Sequence, residues 1–179
     1  MRVIILCGPP AVGKLTVALE LSKKLEYPIL DNHQTIDIAL IFAPFGSQTF
    51  LSLVQGMRFL IIETLLRQRR KGLIMTASMP NIPAVKAFYR NLGEMVKSHG
   101  GKIHYVHLYC ELQELKRRVV KRGAENKRKI NTVQQLKKAM KEFDFSGKGR
   151  QSKGLVIDNT KLSPRKAAEQ VIKYYKLAH

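Results

Sequence analysis

The residues with the plainest chemical consequence are Gly8-Pro9-Pro10-Ala11-Val12-Gly13-Lys14-Leu15-Thr16. They follow the apolar run Val3-Ile4-Ile5-Leu6-Cys7 and lead into Val17-Ala18-Leu19-Glu20-Leu21. Strand, glycine-framed loop and helix in that order build an anion site. Successive backbone N–H groups and the positive end of the helix dipole face the ligand, and the glycines let the backbone approach without a Cβ. Lys14 adds a point charge suited to β and γ phosphates. The bland alternative is a chance glycine turn, which the strand before and the helix after disfavour. A nucleoside triphosphate is therefore the expected ligand, held by Gly8, Ala11, Val12, Gly13, Lys14, Leu15 and Thr16.

A second group is Asp31-Asn32-His33, which leaves the short apolar segment Tyr27–Leu30. In open parallel α/β sheets ligands sit outside the carboxyl ends of the strands, so this triplet belongs on the same side as the glycine loop. Asp31 there could position or deprotonate an acceptor hydroxyl. Alternatively, it caps a helix begun by Asn32-His33-Gln34. Thr35 to Phe42 is largely apolar, with Asp37 as its single charge. Arg58 lies inside a long apolar helical pattern, so its guanidinium must reach solvent or an anion, and a snorkelling arginine fits as well as a ligand contact. His104 and His107 fall on opposite faces of a predicted strand, which argues against a shared metal.

The elements that position these groups follow from periodicity. Helical spacing runs from Leu15 to Leu25, from Gln48 to Arg70, and from Val85 to Val96 until Gly100-Gly101. A further helix follows Tyr109-Cys110-Glu111, and a short one spans Thr132 to Phe143. Ser163-Pro164 opens the last. Buried-strand runs occupy Leu73–Ser78, Ile103–Tyr109 and Leu155–Ile157. Hydroxyls, Thr76 and Ser78, stand at the end of the third strand, where many nucleotide-binding chains carry an acid.

The 179 residues, 45% hydrophobic, suffice for one substantial core, and one domain is expected. Thirty-two Lys and Arg against 13 Asp and Glu give +19, which points to anionic partners. Of this excess, +11 lies between Lys116 and Lys153. Asp37 and Glu63 interrupt the two best apolar stretches, so no membrane span is expected. Cys7 and Cys110 lack metal-ligand spacing and read as buried thiols of a cytoplasmic protein.

The Gly-x-Pro-x-x-Gly-Lys-x-Thr arrangement at Gly8–Thr16 resembles adenylate kinase and its nucleoside monophosphate kinase relatives, and more loosely shikimate and gluconate kinases. Leu15 stands where the usual loop has a magnesium-binding Ser or Thr, and the hydroxyl comes one residue later, at Thr16. The resemblance implies a three-layer P-loop α/β sandwich with a five-stranded parallel sheet in order 2-3-1-4-5. It implies Mg-ATP held largely through its own phosphates, with Thr16 as a weak candidate for Mg2+, and an acceptor site at Asp31, Asn32, His33 and Asp37, to which Arg58 is added. Arg118 and Arg122 look like the arginines where a lid begins, with Lys127 and Arg128 on the lid itself, an insertion of about 122–152. No Asp-Gly-Phe-Pro-Arg-like stretch follows the third strand, and no triple glycine of the shikimate kinase kind, so the acceptor is left open.

The leading expectation is phosphoryl transfer from ATP to a small-molecule acceptor, with Lys14, Asp31, Arg118, Arg122 and Arg128 as the catalytic set. A kinase or ATPase acting on nucleic acid is the first rival. The basic segment supports it, but only Phe143 and Phe145 are available there to stack on bases. A nucleotide-binding regulatory module without turnover is the second, suggested by Leu15 and the absent acid. Oligomeric state is not legible.

Overall fold

A computed structural model describes residues 1–80, 82–123, 129–145 and 154–177. Its core is a five-stranded parallel sheet in the order β2-β3-β1-β4-β5. The strands are β1 (Arg2–Cys7), β2 (Ile29–Leu30), β3 (Gly72–Ala77), β4 (Lys102–Tyr109) and β5 (Leu155–Asp158). The helices are α1 (Lys14–Leu25), α2 (Asn32–Phe42), α3 (Gln48–Arg67), α4 (Pro83–Ser98), α5 (Leu112–Arg122), α6 (Val133–Glu142) and α7 (Pro164–Tyr175).

The central strand shows why the chain folds in three layers. β1 is apolar at every position from Val3 to Cys7, so both of its faces need cover. Ile4 and Leu6 pack with α1, α5 and α7, while Val3 and Ile5 pack with α3 and α4. Alternate residues thus serve opposite layers, and full burial of each such side chain contributes about 1.5–3 kcal/mol. A third, smaller apolar cluster joins α2 to α3 through Ala39, Ala43, Phe50 and Val54.

Register aligns the functional ends. Cys7 pairs with Ala77 and Leu30 with Met75, so Gly8, Ser78 and Asp31 emerge side by side at the carboxyl edge of the sheet.

Several element boundaries differ from the sequence expectation for local reasons. The segment around Asp37 is a helix that begins at Asn32, because Asp31 caps it: its carboxylate accepts from the His33 N–H, and the Gln34 side chain returns to the Asp31 N–H at 2.7 Å. α3 stops at Arg67 rather than Arg70, since Arg69 turns left-handed with φ 54° and the Arg70 N–H bonds back to Leu65.

Glu63 had set α3 aside as a membrane span. By length and composition the helix is nonetheless apolar enough to cross one. Here it packs on α2 and α4 with the Arg58 side chain buried.

Of the insertion expected over about 122–152, residues 124–128 and 146–152 lie outside the described residues. The described part includes α6, whose Leu136 is fully buried in the cluster shared with α5.

Candidate active site

The glycine loop sits between the end of β1 and the first turn of α1. Two backbone features explain its residues. Gly8 has φ 138°, and a Cβ on it would run into the Leu108 carbonyl. Gly13 has φ 99° and caps α1 without any side-chain hydrogen bond, so the first N–H groups of that helix are left for a ligand.

The Lys14 ammonium folds back over the loop, donating to the carbonyl oxygens of Gly8 at 2.9 Å and Pro9 at 2.8 Å. Burial lowers its pKa from 10.5 to about 8; Arg122 and Lys129 push the same way, against the attraction of Cys7 and Asp31. An ammonium held mainly by two neutral carbonyls in a basic setting is poised for an anion.

Lys14 and Thr16 line a cleft of about 520 Å³. Opposite them stand Asp31, Asn32 and His33 from the start of α2, with Thr76 and Ser78 from the end of β3. Thr76 organises this wall: its hydroxyl donates to Asp31 Oδ1 at 2.6 Å and accepts from the Asn32 N–H at 2.9 Å. Asp31 Oδ2 receives the His33 N–H. The carboxylate is therefore fixed in the cleft by two protein donors while it caps the helix. Burial lowers the pKa of His33, against the attraction of Asp31 and with the help of Lys129. Its Nδ1 is buried without a hydrogen bond, 4.0 Å from Asp37 Oδ1.

The expected arginines take different places. Arg122 lines the cleft and donates to the Ile130 carbonyl at 2.8 Å. Arg118 turns to the protein: Nη1 donates to Val12 O at 3.0 Å, Nη2 to Asn159 O at 2.6 Å and Thr160 O at 3.2 Å, and Nε to Glu114 at 2.8 Å. It braces the glycine loop rather than facing the cleft. Arg58 is buried and donates to Thr35 Oγ1 at 3.0 Å and Asn32 Oδ1 at 2.8 Å, so it props up the start of α2 from behind. Arg128 and Lys127 lie outside the described residues.

Sequence reasoning missed Lys129 and the Asn159 brace, which donates to Val12 O at 2.6 Å. The basic run around Lys127 was the available signal for Lys129. Asn159 carries none, since its partner is 147 residues away.

The 2-3-1-4-5 sheet with a glycine loop and lysine after its first strand defines the small P-loop kinase fold. The chain belongs to the AAA domain family, whose model matches residues 3–146. No curated relative matches the sequence. Among solved structures it is similar to the tunicamycin resistance protein of Deinococcus radiodurans, at 18% identity and TM-score 0.65, covering 99% of this chain and 98% of that one. Shikimate kinase from Acinetobacter baumannii in complex with shikimate is 19% identical with TM-score 0.64, covering 97% and 92%. The Mycobacterium tuberculosis APS kinase in complex with AMPPNP and APS is 17% identical with TM-score 0.64, covering 98% and 97%. At these identities the likeness is one of fold.

Proposed function

We propose that this protein transfers the γ-phosphoryl group of ATP to a hydroxyl of a small molecule. The observation that carries the reading is the facing of two built groups across one cleft: the Lys14 loop with its free amides, and the Asp31 carboxylate fixed by Thr76. In the reaction an acceptor oxygen forms a bond to the γ-phosphorus, the bond from that phosphorus to the β,γ-bridging oxygen breaks, and ADP leaves. The acceptor proton passes to Asp31 and then to solvent.

Lys14 would move from the Gly8 and Pro9 carbonyls to the β and γ phosphates, and the amides of Gly13 to Thr16 would take phosphate oxygens. Arg122 and Lys129 would neutralise charge on the transferring group, a role the sequence also suggests for Arg128. Arg118 would act through Val12 by holding the loop in place. Thr16 offers a cleft hydroxyl that could hold Mg2+, the rest of its shell coming from the triphosphate and water. When bound there, the ion would supply positive charge against the triphosphate. Asn32 and His33 would orient the acceptor, with Asp37 behind His33.

The nucleic-acid reading loses support from Phe143 and Phe145. The two rings pack on each other, 6.2 Å apart, and Phe145 is buried, so it offers no face to a base.

The test is incubation with γ-labelled ATP, Mg2+ and a panel of hydroxyl acceptors. Label in an organic phosphate is expected, and its absence in Lys14→Ala. ATP bound by the wild type with no transfer to any acceptor would favour the regulatory module instead.

A further inference from the structure

We infer that the acceptor is amphipathic and uncharged at its far end: a hydroxyl-bearing head set against Asp31 and an apolar body lying between α1 and α2. This rests on the phosphoryl-transfer reading above and names its substrate class.

The observation is a trench of hydrocarbon that continues the polar cleft. Leu15 and Leu19 are four residues apart on α1, and Ile36 and Leu40 are four apart on α2, so each helix presents one apolar stripe to the same cleft. Phe45, from the turn after α2, closes the end. Ile36 also packs against the α2–α3 cluster, but three of the others are left largely uncovered: Leu19 is 48% exposed, Leu40 46% and Phe45 70%. They line the same cleft as the fixed Asp31 carboxylate. An apolar wall continuous with a polar reaction point recognises a molecule of the same two-part character.

Charge supports the same conclusion. Among the described residues the cations that line the cleft are Lys14, Arg122 and Lys129; the latter two act electrostatically on Lys14, and Lys129 also acts on His33, while none of the three stands on α2 or the turn after it. Arg58 is turned away onto Asn32 and Thr35. From Asn32 to Met57 the chain carries one formal charge, Asp37, in a protein of net charge +19.

The experiment titrates methyl, butyl and octyl β-D-glucoside, each below its micelle concentration, into protein saturated with AMPPNP and Mg2+, read by calorimetry. Each methylene moved from water into the trench should gain about fourfold in affinity when fully covered. With partial cover, octyl glucoside should bind at least about 30-fold tighter than methyl glucoside. Leu40→Gln and Leu19→Gln, on opposite walls, should each remove most of that step and leave methyl glucoside unchanged. Ile41→Gln, on the outer side of α2 and 75% exposed, should retain it. No dependence on chain length, or a step lost in Ile41→Gln and kept in the trench variants, would overturn the inference.

Transfer of label from γ-labelled ATP to the same glucosides is measured on parallel samples without AMPPNP. Chain-length dependence without transfer would support the trench and count against the kinase reading. Transfer to small acids without chain-length dependence would do the reverse.

Discussion

The side-chain amide of Asn159 donates to the carbonyl oxygen of Val12 at 2.6 Å, joining the turn after the last strand to the glycine loop after the first. Arg118 donates to the same oxygen at 3.0 Å. A trans peptide points its C=O and N–H in opposite directions, so holding the Val12 carbonyl from one side aims the Gly13 N–H to the other. The loop is thus set from behind, by residues that need not touch the nucleotide.

Asn159→Ala should therefore loosen the loop without emptying it. Loss of one buried hydrogen bond costs about 1–3 kcal/mol in urea unfolding. ATP affinity should fall several-fold, less than for Lys14→Ala, because Arg118 still holds Val12. Unchanged stability in Asn159→Ala would show that the brace contributes nothing.

Lys14 gives a pH signature. In the free protein its pKa is about 8, lowered mainly by burial, and a bound triphosphate favours the ammonium. Above pH 8 binding must take up a proton, so ATP affinity should fall by up to about tenfold per pH unit until the pKa of the complex is reached. Calorimetry at pH 9 in buffers of different ionisation enthalpy should register that uptake. The same desolvated ammonium makes the folded state less stable below pH 8 than a neutral side chain would, a cost relieved as pH rises toward 10.5. Lys14→Ala should therefore keep or slightly raise the melting temperature while abolishing ATP binding.

Arg58 separates a structural prop from a ligand contact. Its guanidinium is buried against Thr35 and Asn32, so Arg58→Met leaves Asn32 Oδ1 without that donor and should cost about 2–4 kcal/mol. ATP affinity should stay within about twofold. A variant of normal stability with a raised acceptor KM would make Arg58 a ligand contact instead.

What the sequence made legible and what it hid divide by range. Gly8, Gly13 and Lys14 announce the loop because their spacing is local, and strand order followed from the resemblance that the loop carried. Asp31 was placed at the cleft from its position after a strand. Its capping of α2 was one of two readings the sequence left open, and the structure shows the cap; its clasp by Thr76, 45 residues on, needed coordinates. Arg118 and Arg58 show the limit most clearly. An arginine near a lid or inside an apolar helix looks the same in sequence whether its donors face a phosphate or backbone carbonyls, and only the carbonyls of Val12, Asn159 and Thr160 settle where Arg118 points. The trench went unread because Leu19 and Leu40 have the spacing of ordinary core residues.

The most direct measurement is single-turnover transfer from ATP to an acceptor identified in the labelled panel, compared between wild type and Asp31→Asn. Asparagine caps a helix nearly as well as aspartate, its amide oxygen taking the His33 N–H while its NH2 donates to the Thr76 hydroxyl oxygen, but it cannot take a proton. Transfer should fall by about 100-fold or more, with ATP affinity and melting temperature nearly unchanged. Near-normal transfer in Asp31→Asn would contradict the account, leaving Asp31 as the cap of α2 and its carboxylate without a part in the chemistry.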